Sequence, residues 1–339
     1  MTTEFTIRRM AESDLASVAE VEAGVFTDWY RVHRRDPEPL PERTIEELKY
    51  ATSIDPDGNR VAVAADGAIV GFILARSWGS VGWFGTFGVP TQFQGLGIGK
   101  ALVACTVEHL GRTASIIGLE TMPESGANIG MYAKSGFALG YPTVIMEYHL
   151  ERKSAPAGKS GDREGACRAK ADDPDVAAWS SLDAETKPRL EHQIKAIGDE
   201  ILPGLDYTPE VRAIERHELG DTYLCMDGED VEGVAVLRTA PFRTDDRFRR
   251  GYLHVLALRR ECNRRLVLDR LLGCVFAGAR AAGASGVVAG VSARYPEALE
   301  MFHAAGFRSQ RASVRMIERS SRPDIFERSA AINSSRWVG

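Results

Sequence analysis

Alternation of apolar and polar positions in the first 90 residues predicts a small antiparallel sheet. Residues 5–8 alternate as a strand, and two apolar runs at 60–65 and 68–74 flank Asp66-Gly67, a dipeptide typical of a two-residue hairpin turn. A third apolar run, from about Val81 to Val89, completes the predicted meander.

Apolar residues at helical spacing predict helices before and after these strands. One stripe runs from Leu15 to about Val25, with Ser13-Asp14 able to cap its start. Thr44 and Glu47 have the spacing of a capping box, which predicts a short helix to about Tyr50. Further elements are predicted downstream: a helix over 100–110, a strand over 115–121, a helix over 128–135 and a strand over 141–149.

A glycine-rich turn joins the third strand of the meander to the helix that begins near Lys100. Gly95, Gly97 and Gly99 stand at alternate positions, so successive backbone N–H groups can point into one concavity without a Cβ in the way. The following helix adds the positive end of its dipole. The turn therefore indicates a seat for a phosphate or pyrophosphate. It differs from dinucleotide-binding and Walker turns, since the spacing is G-x-G-x-G and Ala101 follows Lys100.

The second half of the chain repeats the pattern of the first in weakened form. Residues 151–163, rich in Lys, Ser, Gly and Pro, read as a linker. After it come a second Asp-Gly turn at Asp227-Gly228 and a second strand at 254–258. Self-similarity over so long a period favours duplication of a whole domain. We therefore expect domains at 1–150 and 164–318, followed by a C-terminal tail, 319–339.

The second half of the chain lacks the glycines that leave the first turn free of side chains. Aligning Leu271 with Leu102 pairs three positions of the turn: Asn263 with Gln94, Leu266 with Gly97 and Leu268 with Gly99. Branched side chains would then occupy the space that phosphate oxygens need, and Phe302 replaces Tyr132. A structural or substrate-enclosing role is favoured for this copy. The alternative is an anion held by arginine side chains: Arg259, Arg260, Arg264 and Arg265.

The net charge and the cysteine content exclude some classes of partner and of site. The net charge of −5 argues against a nucleic-acid binder, which usually needs a basic excess. The 5 cysteines are scattered without a C-x-x-C pair, so neither a zinc site nor a disulfide framework is expected. The chain shows no leader-like start and no long apolar run. We expect a soluble cytoplasmic protein, monomeric or homodimeric, without a membrane or nucleic-acid partner.

The run Gln94-Gly95-Leu96-Gly97-Ile98-Gly99 resembles the Q/R-x-x-G-x-G/A signature of the GNAT superfamily of acyl-CoA N-acyltransferases. Val89 and Phe93 precede it as in that family, although Pro90 stands one place before the family's usual proline. Asn128, Tyr132 and Gly136-Phe137 are similar to the family's N-x-x-x-Y-x-x-x-G-F ending. The resemblance covers roughly residues 4–150. It implies an α/β (α+β) fold of two GNAT-like domains, each with a mixed, mostly antiparallel central sheet flanked by helices.

The same resemblance implies transfer of an acetyl group from acetyl-CoA to an amine of a small molecule or peptide, by direct attack in a ternary complex. The N-terminal domain would be catalytic, and no metal would be required. Two strands, one ending at Val89 and the other at 115–121, would splay to admit the pantetheine arm. The residues implied in cofactor binding are Phe87, Val89, Gln94, Gly95, Leu96, Gly97, Ile98, Gly99, Lys100 and Asn128.

Catalytic and acceptor residues follow from the same resemblance. Tyr132 would donate a proton to the departing thiolate, and Glu120 is the first choice for the base that deprotonates the amine. Four other groups are possible bases: Glu22, Asp28, His33 and Glu124. The acceptor pocket would be lined by Phe26, Trp29, Tyr30, His33 and Trp83. Three alternatives stay open: another acyl-CoA, an oxygen acceptor, or a non-catalytic acyl-CoA sensor.

Overall fold

The computed structural model describes residues 4–150, 173–245 and 249–320, together with the backbone of 333–335. The predicted linker at 151–163 lies outside the described residues, as does most of the predicted tail. We refer to residues 4–150 as the N-terminal half and to residues 173–320 as the C-terminal half. Within the described part of the chain, every helix is too short or too polar to cross a bilayer.

Helices and strands of the N-terminal half follow the order expected from the sequence. They are β1 Phe5–Arg9, α1 Leu15–His33, α2 Ile45–Ser53, β2 Arg60–Ala64, β3 Ile69–Trp78, β4 Val81–Gly88, α3 Ile98–Leu110, β5 Ile116–Thr121, α4 Gly126–Lys134, β6 Phe137–Leu139 and β7 Thr143–His149. The predicted cap of α2 is confirmed, because the Glu47 N–H donates to Thr44 Oγ1 over 3.3 Å. The first helix is longer than predicted and continues through the aromatic segment to His33.

The C-terminal half repeats these elements. They are β8 Val176–Ala178, α5 Lys187–Ile201, α6 Thr208–Arg216, β9 Gly220–Asp227, β10 Asp230–Arg238, β11 Arg250–Leu258, α7 Arg264–Ala281, β12 Gly286–Ser292, α8 Pro296–Ala304 and β13 Arg308–Glu318; β14, Asn333–Ser335, follows. In each half, antiparallel strands lead to one parallel pair, β4 with β5 and β11 with β12. The predicted α/β class with mostly antiparallel sheets is confirmed.

The two halves complete each other's sheet by exchanging their last strands. β7 leaves the N-terminal half and pairs with β12, while β13 leaves the C-terminal half and pairs with β5, β6 and β7. The result is one continuous sheet of 14 strands. The boundary placed at residue 150 therefore does not separate two independent sheets.

Buried ion pairs also join the halves. Glu47, at the start of α2, accepts from Arg238 Nη1 over 2.7 Å, and both side chains are 1 % exposed. Glu22 on α1 is fully buried between Arg43, 2.9 Å away, and Arg243 of the C-terminal half, 3.2 Å away. The cost of removing these charges from water makes each partner dependent on the other. Separation of the halves would leave charges unpaired.

Candidate active site

A gap opens between β4 and β5 at the end predicted for the pantetheine arm. Their parallel pairing runs from Val81 with Ile116 to Phe84 with Leu119. Beyond that point β4 follows β3, with Phe87 opposite Ile73, whereas β5 follows β13. Over residues 85–88, β4 is no longer paired with β5.

The glycine turn lies just beyond this gap. Gly95 and Gly97 have φ of +79° and +86°, in the left-handed region that favours glycine, and a Cβ built on either would meet open space. Gly97 caps α3, and the Ala101 N–H donates to its carbonyl over 3.0 Å. The amides of residues 98–100 precede the first intrahelical donor and so lack an intrahelical acceptor. These exposed donors make the turn suitable for an anion.

Gln94 connects the turn to the gap. Its Nε2 donates to the carbonyl of Val89 over 3.0 Å, which holds the turn against the end of β4. Gly99 is the third glycine and lies inside α3, where a Cβ would be 3.0 Å from the Phe87 ring. Phe87 borders the gap. Because residue 99 has no side chain, the helix can approach that strand closely.

Tyr132 on α4 reaches the same region from the other side. It is 4 % exposed, and its ring centroid lies 6.0 Å from that of Phe84 and 6.3 Å from that of Phe87. Burial raises the pKa of its hydroxyl well above the usual range. The phenol therefore keeps its proton at neutral pH, as a hydrogen-bond donor or acid must.

A basic depression separates the start of α3 from α4. Its volume is about 480 Å³, and its lining consists of Lys100, Gly126, Ala127, Gly130, Met131, Lys134 and Ser135. Two lysines at its rim add positive charge beside the amides of the glycine turn. Asn128 lies on α4, one turn before Tyr132, and is partly exposed. The surroundings of the turn therefore favour a polyanionic ligand.

The end of α1 lies across the mouth of the gap. Thr91, just after β4, is 3.5 Å from the Asp28 carboxylate, and Arg34 lies 3.6 Å from Glu124, just after β5. The last turns of α1 are thereby tied to the ends of both diverging strands. The predicted acceptor segment is thus brought to the place where a second substrate would approach.

An aromatic cluster forms this end of α1. Trp29 stacks on His33 with ring centroids 4.5 Å apart, and its edge meets Tyr30 at 5.5 Å. Phe26 lies 6.4 Å from Tyr30, and the Arg34 guanidinium sits 5.0 Å from the Tyr30 ring. Four of the five predicted acceptor residues are therefore neighbours.

Trp83, the fifth predicted acceptor residue, belongs to the core instead. It is 1 % exposed, and its ring packs so closely on Gly118 that a Cβ there would lie 2.1 Å from the indole. The Arg315 guanidinium is 5.4 Å from the ring on another side. This enclosure removes Trp83 from the candidate acceptor residues.

Glu120, the first choice for the base, is enclosed by donors. Its side chain is fully buried, and Oε1 accepts from Thr143 Oγ1 and from Arg315 Nη2 and Nε, at 2.9 and 3.2 Å. Oε2 accepts from Ser313 Oγ over 2.7 Å. Both oxygens of this carboxylate are thus held by a guanidinium and two hydroxyls. Its contacts suit a structural group at the junction of β5, β7 and β13.

Two residues near the gap were not identified from the sequence. Arg43 Nη2 donates to Thr86 Oγ1 over 2.6 Å, so a fully buried guanidinium lies directly behind the diverging segment of β4. Arg315 comes from the exchanged strand β13. Neither residue lies in a local motif, and both arrive through long-range pairing that spacing along the chain does not encode.

Within residues 4–150, 173–245 and 249–320, no group of His, Cys, Asp and Glu side chains is arranged to hold a metal ion.

Comparison with known proteins gives a family-model match over part of the chain and a fold for the whole of it. Residues 26–137 match the family model described as acetyltransferase (GNAT) family. The chain is similar to a putative acetyltransferase from Pyrococcus horikoshii, with 18 % identity, a TM-score of 0.62, and coverage of 95 % of this chain and 93 % of that one. The search of curated proteins gives no match.

Two further solved structures resemble the whole chain. A tandem GNAT protein from the clavulanic acid biosynthesis pathway has 13 % identity and a TM-score of 0.54, covering 93 % of this chain and 98 % of that one. Saccharomyces cerevisiae N-myristoyltransferase with bound myristoyl-CoA has 12 % identity and a TM-score of 0.63, covering 94 % and 83 %. At such identities the likeness concerns the fold.

Proposed function

Because residues 26–137 match the acetyltransferase (GNAT) family model and the chain shares its fold with a tandem GNAT protein, we propose that the N-terminal half transfers an acetyl group from acetyl-CoA to an amine. The observation that carries this proposal is the open glycine turn at the end of the diverging strand β4. Gly95 and Gly97 leave room above exposed amides, and Gln94 holds that turn to Val89. A diphosphate in this seat would leave the pantetheine arm directed into the gap.

The backbone of β4 orients the thioester in this proposal. Backbone donors near Phe87 and Val89 would stabilise negative charge on the thioester oxygen during attack. Lys100, with Asn128 on the neighbouring helix, contributes to the polyanion site. The chemistry then depends chiefly on alignment of the two substrates.

Tyr132 is proposed as the proton donor to the departing thiolate. Its raised pKa keeps the phenol protonated, and its ring lies beside Phe87 at the gap. A thiol has a pKa somewhat below that of a free phenol, so complete proton transfer is uphill. Donation of a hydrogen bond as the thiolate leaves is sufficient.

His33 is proposed as the group that receives the amine proton, directly or through water. Its Nδ1 lies 3.0 Å from the carbonyl of Trp29, which assigns the proton to Nδ1 and leaves the Nε2 lone pair available. Glu120 lacks this freedom, because Arg315 and two hydroxyls hold it. The acceptor amine would approach between the aromatic end of α1 and the gap.

The test is release of CoA thiol from acetyl-CoA against a panel of amines, with the Gly97→Leu variant as control. We expect turnover with at least one amine and none above background in the variant. Binding of acetyl-CoA without turnover across amine and alcohol acceptors would contradict an N-acetyltransferase and favour a sensor. Faster turnover with longer acyl-CoAs would contradict the acetyl assignment alone.

Proton removal is tested by the acidic limb of the pH–rate profile with one acceptor. We expect His33→Gln to abolish the acidic limb and Glu120→Gln to retain it. Loss of the limb in Glu120→Gln, with retention in His33→Gln, would contradict this assignment.

A further inference from the structure

A segment from the C-terminal tail fills the second gap. β11 and β12 pair in parallel from Arg250 with Gly286 to Leu253 with Ala289. Past Leu253, β11 pairs instead with β14, antiparallel, with Val255 opposite Ser335 and Ala257 opposite Asn333. The tail segment therefore lies where β11 and β12 diverge.

The two gaps correspond residue by residue. The last parallel pair is Phe84 with Leu119 in the N-terminal half and Leu253 with Ala289 in the C-terminal half. On that correspondence, residues 255–257 match residues 86–88 of β4. β14 thus runs along the edge that matches the proposed pantetheine edge. Val255, Leu256 and Ala257 are at most 2 % exposed, whereas Thr86 and Phe87 are partly exposed.

The start of α7, which corresponds to the glycine turn, also differs from that turn. α7 begins at Arg264, and Asn263 Oδ1 accepts from the Leu266 N–H over 3.2 Å, so a side chain caps the helix start. Leu268 is fully buried at the position of Gly99. The cap occupies the Leu266 N–H, and a leucine side chain stands where the first half has Gly99.

We propose that the second gap is a docking site for an extended polypeptide, occupied by residues 333–335 of the same chain, and that each chain has a single acyl-CoA site. Main-chain hydrogen bonds of an added strand satisfy the donors and acceptors that the divergence of β11 and β12 exposes. This inference goes beyond the proposed acyl transfer and is tested by a readout independent of it.

Hydrogen exchange at residues 255–257 provides that readout. A variant with prolines at all three positions, Asn333→Pro, Ser334→Pro and Ser335→Pro, removes every N–H that β14 can donate. The matched control replaces the same residues by alanine and keeps those N–H groups. We expect exchange of the β11 amides that face β14 to accelerate at least tenfold in the proline variant and to stay within threefold of the natural chain in the alanine variant.

A synthetic peptide of residues 329–339 extends the test to a chain truncated after Ser320. The peptide should restore protection of residues 255–257, and a peptide with prolines at 333–335 should not. Acetyl-CoA titration should give one site in the natural, truncated and proline chains. Unchanged exchange in both the proline and truncated chains would overturn the docking site. A second acetyl-CoA site in any of them would overturn the single-site claim.

Discussion

The two gaps of this molecule share one backbone scaffold and differ in what they admit. In both halves a parallel strand pair ends after the same number of residue pairs and then diverges. Beyond the first gap, Gly95 and Gly97 leave open space over unpaired amides. Beyond the second, Asn263 caps the helix and a strand of the chain itself lies in the opening. The two halves therefore share the strand divergence and differ in the turn that follows it.

The comparison also shows where the second half gains packing. The second half replaces glycines, which lose most entropy on folding, with leucines that pack or extend the helix. Leu268 is buried in the core of that half. The C-terminal half thus gains packing at the position where the N-terminal half has Gly99.

The largest expected effect concerns the joint stability of the halves. Glu47→Ala leaves the guanidinium of Arg238 buried without its carboxylate, which we expect to cost about 3 kcal/mol of unfolding free energy. Calorimetry should show a single transition at lower temperature, because the exchanged strands couple both halves. Glu46→Ala, one residue earlier in the same helix, is the control. Two transitions, only one of them shifted, would contradict this coupling.

Gly97→Leu places in the first turn the residue type found at the matching position of the second half. A non-glycine residue at φ of +86° costs about 1–2 kcal/mol, and the new side chain fills the seat as well. We expect acetyl-CoA affinity to fall at least hundredfold by titration calorimetry. Leu266→Gly at the matching position of the second half should leave the affinity unchanged. An affinity of Gly97→Leu within threefold of the natural chain would exclude this turn as the diphosphate seat.

Tyr132→Phe makes the first half resemble the second at the proposed proton donor. We expect the maximal rate to fall at least tenfold with little change in acetyl-CoA affinity, since only the hydroxyl is lost. The measurement is steady-state thiol release together with direct titration. Phe302→Tyr serves as the reciprocal control and should not alter the rate. An unchanged rate in Tyr132→Phe would remove this residue from the mechanism.

The smallest expected effect is on stability and concerns Asp14, which follows β1 and bonds to it. Asp14 accepts two hydrogen bonds from Arg8 and one from the Ala11 N–H, and the Arg8 bond lowers its pKa. Its stabilisation is present above the unfolded pKa, about 3.9, and is lost as pH falls through the lower folded value. We expect Asp14→Asn to cost about 1 kcal/mol at pH 7.

Denaturant unfolding at several pH values measures the contribution of Asp14. The difference between Asp14→Asn and the natural chain should shrink below about pH 4. Asp66→Asn, in the exposed hairpin turn, provides a control. A difference that is constant from pH 7 to pH 3 would contradict a role for the charge.

Local features of this fold were readable from the sequence, and its long-range pairings were not. The Asp66-Gly67 hairpin, the cap at Thr44 and the positive φ of the turn glycines follow from chemistry within a few residues. The exchange of β7 and β13 depends on which strand edges meet in space. Sequence spacing therefore could not show that Arg315 would hold Glu120.

The sequence also did not show which side chains of β4 would be enclosed in the core. Trp83 and Phe87 belong to the same strand, but only Phe87 lies in the segment that diverges from β5. Trp83 was predicted as an acceptor residue because sequence spacing does not show where the parallel pairing of β4 ends. Gly118 then determines that the indole of Trp83 is enclosed.

The most direct test of the central claim is a crystal structure of the full chain with CoA. We predict one CoA per chain, with its diphosphate within hydrogen-bond distance of the amides of residues 95–100 and its pantetheine arm between β4 and β5. A diphosphate bound only beside α7, or a CoA lodged between β11 and β12, would contradict the account.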